Sequence, residues 1–568
     1  MKNIPLYDVR KIEDLKQMLY SSVELYKNKT AFLVKNKSTG NYEPITYQQF
    51  KNDVDALGTA LVAKGLKDKR IAIIGENRYE WGVSYLAVLG GTGIVVPIDK
   101  ELPENEILSL LERAEASAVV FSGSKRDIIK KVAAVNNKVD YFIDMDSEED
   151  TGKFLSYAKL LNNGRKLVEN GDNSFIEAKI DTEAMNIILF TSATTDTSKA
   201  VKLSHKNICT NLMAMSSMLY VDPSDVFLSV LPMHHTYECT CGFLCPIYRG
   251  ASIAFCEGLR HIAKNLKEAK ATMMLGVPLI YESMYKKVWD QAAKTGMDKK
   301  LKTAIKINNF TKKLGIDLGK KLFKKIHDNL GGHIRIFISG AAGIDPAVAK
   351  GFRDLGIQLV QGYGLTECAP IVALNRDVDF KDDAAGLPLP GLSVAIHNPN
   401  EEGIGEIKVK GPSVMLGYYE DDESNSRVFI DDGWFLTGDL GYIDSDNFVH
   451  ITGRKKNVIV TKNGKNIYPE EIETLLGRSN YIQECMVYGK DLGDEVTVAA
   501  SIFPNYEKIK EEFGDISEGE IKKIVHDEIK SVNKGLVTYK HIKDFSIRGE
   551  EFIKTTTRKI KRYMERIK

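Results

Sequence analysis

From Arg70 the chain alternates short apolar runs with amphipathic stretches: Ile71–Ile74, a helical pattern over 79–90, Ile94–Ile98, a second over 104–115, then Ala118–Phe121. Buried strands separated by helix-length segments predict a parallel sheet with crossover helices. Upstream, Ala31–Val34 and Tyr42–Thr46 read as a hairpin. Tyr47 opens a helix with Val54, Leu57, Ala60 and Leu61 on one face. Residues 125–179 carry a weaker pattern, with an acidic surface loop expected at 144–150. At 568 residues the chain exceeds what one core supports, so at least two domains are expected.

The next strand, Ile187–Phe190, runs into Thr191-Ser-Ala-Thr-Thr-Asp-Thr-Ser-Lys199, six hydroxyl side chains in eight positions followed by a cation. Many donors converging beside an ammonium suit a polyphosphate. A Walker-type loop is excluded, because Lys199 is followed by Ala200 and Val201 rather than by Ser or Thr. Taken alone, the run also fits a solvated turn.

Two further strand-and-turn units follow. Ile334–Ser339 ends in Gly340-Ala341-Ala342-Gly343, small enough for a ring or phosphate to approach the backbone. Gln358–Gln361 leads to Gly362-Tyr363-Gly364 and then Thr366-Glu367. Tyr363 can stack on a base, and Thr366 and Glu367 offer oxygens to Mg2+. Between the hydroxyl run and these units, Val226–Pro232 runs into Met233-His-His-Thr-Tyr-Glu238, a turn suited to a binding wall or a plain surface turn. Cys239, Cys241, Cys245 and Cys256 lie in apolar surroundings and read as small hydrophobes rather than zinc ligands. Residues 298–325 interleave lysine with Leu, Ile and Phe at helical spacing, either a solvated face or a contact for anionic lipid or substrate.

Charge is balanced, with 78 Lys plus Arg against 77 Asp plus Glu, so no basic field argues for nucleic acid. Seven cysteines without a Cys-x-x-Cys pair fit a reducing compartment. Met1–Asp8 carries no leader-like apolar segment, and the stretch near 83–98 is too short and too glycine-rich to span a bilayer. A cytoplasmic protein is expected, with at most peripheral contact at the inner membrane face.

The ordered set resembles the adenylate-forming superfamily of acyl-CoA synthetases, adenylation domains and luciferases. Its phosphate loop is matched by 191–200. The later motifs follow in order: Gly405-Glu-Ile407, Gly433-Trp-Phe-Leu-Thr-Gly-Asp-Leu-Gly441, Ile451-Thr-Gly-Arg-Lys-Lys-Asn457, Asn463-Gly-Lys-Asn-Ile-Tyr-Pro-Glu-Glu-Ile472 and Ile553-Lys-Thr-Thr-Thr-Arg-Lys-Ile560. The resemblance implies an α/β fold. Layered α/β subdomains and a β-barrel-like subdomain form a large AMP-binding region (1–455), followed by a small mobile α+β domain (456–568).

The same resemblance implies the substrates ATP, coenzyme A and a carboxylic acid, with Mg2+. It gives the triphosphate to Thr191, Ser192, Thr194, Thr195 and Lys199. Adenine falls to Gly340, Ala341, Ala342 and to Tyr363 between Gly362 and Gly364, magnesium to Glu367 beside Thr366, and the ribose to Asp439 with Arg454. His235 lines the acyl side, Lys456 is the hinge, Lys559 visits the site during adenylation, and Gly464 borders the pantetheine tunnel. His234–Glu238 and Phe255–Arg260 resemble the long-chain fatty acid branch. Ala193, Asp196, Ala200 and Arg558 stand where the family has glycine. An alanine forced to φ > 0 costs about 1 kcal/mol, so slowed ATP use is expected. A ligase loading an acyl carrier protein and a catalytically silent relative remain alternatives.

Overall fold

The computed structural model describes residues 4–191, 198–461, 465–491, 493, 496–555 and 559–565. Ser192, Thr194, Thr195, Gly464, Ala193, Asp196 and Arg558 lie outside them. The chain forms two compact units. One is built from the residues up to the phosphate loop, Ser198–Ser393 and Lys410–Arg427, the other from Val394–Val409 and Val428–Lys568.

The first unit carries two large sheets with helices. In one, the expected parallel strands Lys69–Ile74, Gly93–Ile98 and Ala118–Phe121 lie side by side, extended by Tyr141–Asp144 and Phe154–Ser156. Its other edge continues through Ile187–Phe190 and Ala200–Leu203 to Gly417–Tyr418. The second sheet sets Val226–Ser229, Met273–Gly276, Ile336–Ser339 and Gln358–Gly364 in parallel register. The hairpin Thr30–Lys35 and Tyr42–Thr46 joins it at one edge. Because these strands are covered on both faces, they read as continuous apolar runs. Residues such as Ala72, Ile74, Val96, Phe121 and Phe142 form one core, and Leu228, Met274, Phe337 and Leu359 belong to another.

Two expectations need correction. The helix placed at 79–90 ends at Ala87 and widens into a π-turn over Val88–Thr92. Two features accompany it: Gly91 has φ +136°, and the ring of Phe175, distant in sequence, packs where side chains on Gly58 and Gly90 would stand. The acidic stretch 144–150 is not simply a surface loop. Asp144 ends a strand, is buried, and pairs with Arg126 at 2.6 Å. Asp146 holds Arg78 and the Gly123 amide at 2.8 Å.

In the second unit, Trp434–Ile443 pairs antiparallel with Gly405–Lys410, Phe429–Ile430 and Val449–Arg454. A three-stranded sheet, Ile482–Asp491, Val496–Pro504 and Asp544–Ile547, is covered by helices Pro469–Leu476 and Glu518–Lys534. Ile472, Val487, Ala500 and Val525 are at the centre of that α+β core.

Candidate active site

In the first unit the described strands on either side of the hydroxyl run pair with each other. Ile187–Phe190 and Ala200–Leu203 pair antiparallel, with Phe190 opposite Ala200. The Thr191 amide donates to the Lys199 carbonyl at 2.9 Å, closing the neck of the loop. Arg113 braces the returning arm, donating to the Ser198 carbonyl at 2.8 Å and lying over the Phe190 ring. Ala200, one of the four replaced glycines, is an extended strand residue, 2% exposed and packed in the core. Among the described residues its φ is not positive. The strain expected at that position is therefore absent.

Lys199 sets its ammonium 4.4 Å from the centre of the Tyr418 ring, a cation–π distance. The Tyr418 hydroxyl donates to Glu367 Oε1 at 2.9 Å. Burial, then the Glu367 charge, push the Tyr418 phenol far up, so it stays a donor. A line of contacts thus joins Lys199 to Glu367 through Tyr418. Tyr418 is held by pairing with Val201 on the outgoing strand and by the Asn425 amide oxygen, which accepts from its N–H at 2.7 Å.

The helix that follows the hairpin fixes both ends of this line. Ser204 caps it with a reciprocal bond to Asn207. One turn apart on one face, Asn207 donates to the carbonyls of Pro412 and Val414 (2.7 and 2.9 Å), and Asn211 to those of Cys368 and Ile371 (3.1 and 2.8 Å). These contacts hold the backbone beside Tyr418 and beside Glu367. Thr366–Cys368 is a single tight turn with Thr366 and Glu367 half-buried. Half-buried hydroxyl and carboxylate oxygens are the hard donors that suit Mg2+, which keeps water or phosphate oxygens in its remaining positions. That donor set fits the ion. The same residues can hold it with few protein ligands, and among the described residues no cluster of three His, Cys, Asp or Glu is needed or present.

Gly340-Ala341-Ala342 follows its strand directly. A side chain on Gly340 would stand 2.7 Å from the Tyr237 ring, whose hydroxyl donates to the Ile338 carbonyl at 3.1 Å. Ala341 takes φ +70°, a left-handed position a side chain seldom adopts. At Gly364 a side chain would meet the Pro370 carbonyl at 2.1 Å, which is why glycine follows Tyr363.

The His234-His235 turn lies beside the same sheet. Asn77 clamps it, donating to the Leu231 carbonyl at 2.6 Å and accepting from the Met233 amide at 2.9 Å. The His235 amide donates to the Pro232 carbonyl at 3.0 Å, and the two imidazoles are 5.2 Å apart. Burial, with help from Lys100, pushes His234 down to about 3, so it is neutral. Tyr237–Leu244 is a π-turn, and Glu238 within it is buried, accepting from Ser229 Oγ at 2.6 Å. Burial raises Glu238 to about 8, against the opposing Ser229 and Leu231 bonds. Cys239 and Cys245 are buried and Cys241 and Cys256 half-buried, their thiols raised by burial, as expected of small hydrophobes.

The second unit holds the remaining described residues. Asp439 and Arg454 face each other across an antiparallel ladder, Arg454 Nε to Asp439 Oδ1 at 2.7 Å. Thr437 Oγ1 accepts from the Asp439 amide at 3.1 Å, and buried Glu406 accepts from Gly438 N–H and pairs with Lys455. Lys456 is exposed in the turn Lys455–Asn457. The Lys559 amide donates to Thr555 Oγ1 at 3.1 Å. Lys559 is exposed as a residue, yet its ammonium stands among enough protein to feel burial, then Arg454, which together press it down to about 8 against the pull of Asp439. Thus Lys559, about a hundred residues further along the chain, shares one electrostatic neighbourhood with Asp439 and Arg454.

A sequence model of the AMP-binding enzymes matches residues 19–419, a stretch holding the hairpin, the Gly340 and Tyr363 turns, Glu367 and Tyr418. The chain belongs to the AMP-binding enzyme family. Among relatives of this AMP-binding enzyme, long-chain-fatty-acid–CoA ligase 1 of Cavia porcellus is 28% identical over 92% of this chain and 80% of its own. The chloroplastic long-chain-fatty-acid–[acyl-carrier-protein] ligase AEE15 of Arabidopsis thaliana is 26% identical over 86% and 76%. The solved ATP-bound MatB of Rhodopseudomonas palustris superposes with TM-score 0.75 at 25% identity, over 98% of this chain and 99% of that one. Sequence reading of this AMP-binding enzyme missed Arg113, Asn207, Asn211 and Tyr418. A signal for the last was present: Gly417-Tyr418 repeats the glycine-then-tyrosine pairing of Gly362-Tyr363.

Proposed function

We propose that this enzyme is an acyl-CoA synthetase that activates a medium- or long-chain fatty acid with ATP and passes it to coenzyme A. The geometric observation that supports the reading is the ion pair of buried Asp439 with Arg454, in whose electrostatic field Lys559 stands. A buried carboxylate suited to two ribose hydroxyls, and an ammonium beside it, are what an adenylating site needs.

In the first half-reaction a carboxylate oxygen of the acid bonds to the α-phosphorus of ATP while the bond to the pyrophosphate oxygen breaks. Lys199 and the loop hydroxyls Thr191, Ser192, Thr194 and Thr195 receive the β- and γ-phosphates. Gly340, Ala341, Ala342 and Tyr363 with its flanking Gly362 and Gly364 seat the adenine, and Asp439 and Arg454 the ribose. Glu367 and Thr366 would hold Mg2+, which when bound would neutralise phosphate charge. Lys559 offsets repulsion between the acid and the α-phosphate, an electrostatic effect that grows as water is excluded. In the second half-reaction the thiol sulfur bonds to the acyl carbon, its proton goes to solvent, and AMP leaves. Residues 456–568 turn about Lys456 between the two steps, withdrawing Lys559 and presenting Gly464 beside the pantetheine. His235 borders the acyl chain in both.

The fatty acid follows from the likeness to fatty-acid ligases, as does the rival acceptor, a carrier protein. Charge balance gives no reason to add a nucleic acid partner. A cytoplasmic location is part of the proposal, and no helix of the described residues is long and apolar enough to cross a membrane. Pyrophosphate release from MgATP, with acids from butyrate to stearate and with or without CoA, tests the reading. Acid-dependent release with CoA consumption supports it. Release with little CoA use, restored by an acyl carrier protein, redirects it to the carrier. No release with any acid refutes it.

A further inference from the structure

The lysine-rich segment 298–325 has no part in the site described above. It holds ten lysines against two aspartates. Its main helix, Asp298–Lys313, is docked by one face. Buried Asn308 donates to the Asp354 carbonyl at 3.3 Å and accepts from the Leu318 amide at 2.9 Å, and Lys312 reaches the Arg353 carbonyl at 2.9 Å. Leu301, Ala304 and Ile305 lie on that inner side, half-buried. The inner face is therefore fixed, and the outer face cannot roll inward.

That outer face is apolar. Ile307, Phe310 and Leu314 recur at helical spacing and are 48%, 65% and 65% exposed, followed by Ile316 at 54% and Leu322 at 41%. Isolated exposed hydrophobes are ordinary, but a contiguous strip of them marks an interaction surface. Lys306 and Lys313 adjoin the strip on the same helix, and Lys320 and Lys321 belong to the separate short helix Gly319–Leu322 that follows. All four are exposed and form no ion pair among the described residues.

We infer that this face docks on an anionic lipid surface, with Phe310, Ile307 and Leu314 entering the headgroup–acyl boundary and the lysines lying on the phosphates. An apolar strip edged by lysines is the composition of helices that lie in a bilayer interface. Its uncompensated charge complements a diffuse negative surface better than a single acidic side chain. Lysine stems are long enough to cover apolar surface while their ammoniums stay with the headgroups.

Co-sedimentation of the full-length protein with vesicles of phosphatidylcholine alone, or with added phosphatidylglycerol, tests this at low and high salt. Binding is expected only to the anionic vesicles and is expected to weaken with salt. The Lys306→Gln/Lys313→Gln/Lys320→Gln/Lys321→Gln variant should lose affinity by about fivefold per lysine at low salt. Ile307→Ser/Phe310→Ser/Leu314→Ser should lose binding as well while keeping its melting temperature and pyrophosphate release, because the side chains are exposed. Equal binding to neutral vesicles, or variants that bind like the parent, overturns the inference. So does a dimer that the serine variant dissociates with no vesicle binding by the parent, which would make the strip a contact between copies. Capture of an acidic carrier protein through the same lysines, without vesicle binding, also overturns it. The vesicle-binding and melting readouts do not depend on the proposed acid or acceptor.

Discussion

Glu238→Gln isolates one buried ionisable group. Its carboxyl lies inside the first unit over Gly242, where a side chain would come within 2.7 Å of Glu238 Cδ. Oε1 accepts from Ser229 Oγ, which in turn accepts from Asn77 Nδ2 at 2.9 Å, while Oε2 is buried with no hydrogen-bond partner among the described residues. The neutral acid is accordingly favoured, with its pKa raised from 4.5 to about 8. The sign follows from proton counting. Between pH 4.5 and 8 the unfolded chain releases this proton and the fold retains it, so the native state binds more protons and stability falls as pH rises. At about 1.4 kcal/mol per pH unit, the loss from this group approaches 5 kcal/mol and levels off above pH 8. Glutamine keeps an acceptor for Ser229 and has no proton to lose. The difference in melting temperature between Glu238→Gln and the parent should thus be small near pH 4.5 and grow by several degrees in favour of the variant up to pH 8.5. Taking the difference cancels every other titrating group. A difference that stays flat across this range, or one that shrinks as pH rises, would falsify the account of Glu238 as a neutral acid.

The remaining perturbations probe the site and its supports. Lys559→Ala should reduce pyrophosphate release at least a hundredfold, an electrostatic loss of about 3 kcal/mol or more, while thioester formation from supplied acyl-adenylate falls little; equal losses in both steps contradict the assigned role. With Lys559 pressed down to about 8, adenylation should decline as pH rises through that value because the charged ammonium is the active form, and Arg454→Gln should move the decline to higher pH. Tyr418→Phe keeps the ring under Lys199 but removes the donor to Glu367. The half-saturating Mg2+ concentration should change several-fold while the pH profile of Lys559 stays in place, and an unchanged Mg2+ dependence would sink the proposed line from Lys199 to Glu367. His205 is buried and held neutral, with Nδ1 accepting from the Leu15 amide at 3.1 Å and its pKa lowered to about 4 from 6.5. Stability from this group is present above pH 6.5 and is lost as pH falls towards 4, about 3 kcal/mol in all, so His205→Gln should flatten acid denaturation measured by fluorescence.

Local pattern sufficed wherever one segment carries its own signal. The parallel strands from Lys69 to Phe121 were legible because their apolar runs are short and regularly spaced, and the strand Ile187–Phe190 because an apolar run flows into a loop of hydroxyls; the returning strand Ala200–Leu203 was not read from the sequence. Pattern failed where a partner distant in sequence sets the geometry. The π-turn after Ala87 depends on Phe175, almost ninety residues on, whose ring occupies the space beside Gly58 and Gly90. Asp144 reads as solvated until Arg126 is brought to it. Asn207 and Asn211 look like ordinary helix polar residues; their work is to satisfy four carbonyls from two other segments, and no sequence window contains those partners.

The same distinction bears on the replaced glycines. Counting them as equivalent defects assumed that each position needs a conformation only glycine adopts. At Ala200 the chain is already a strand, paired with Phe190 on one side and with the Gly417–Tyr418 strand's partner residue Val201 next to it, and its methyl fills the core. There alanine adds packing and removes flexibility from the arm that carries Lys199, which stabilises a loop neck rather than straining it. Ala341 is the opposite case, a side chain held at φ +70° in the turn proposed for adenine. Backbone held in that region stores of order 1 kcal/mol and persists only where its surroundings impose it. Ala341→Gly should therefore relieve local strain yet loosen the turn, raising KM for ATP with little change in melting temperature, whereas Ala200→Gly should lower the melting temperature and leave KM nearly unchanged. If both variants instead shift KM alike, the two positions serve the nucleotide in the same way and the structural difference between them carries no functional weight.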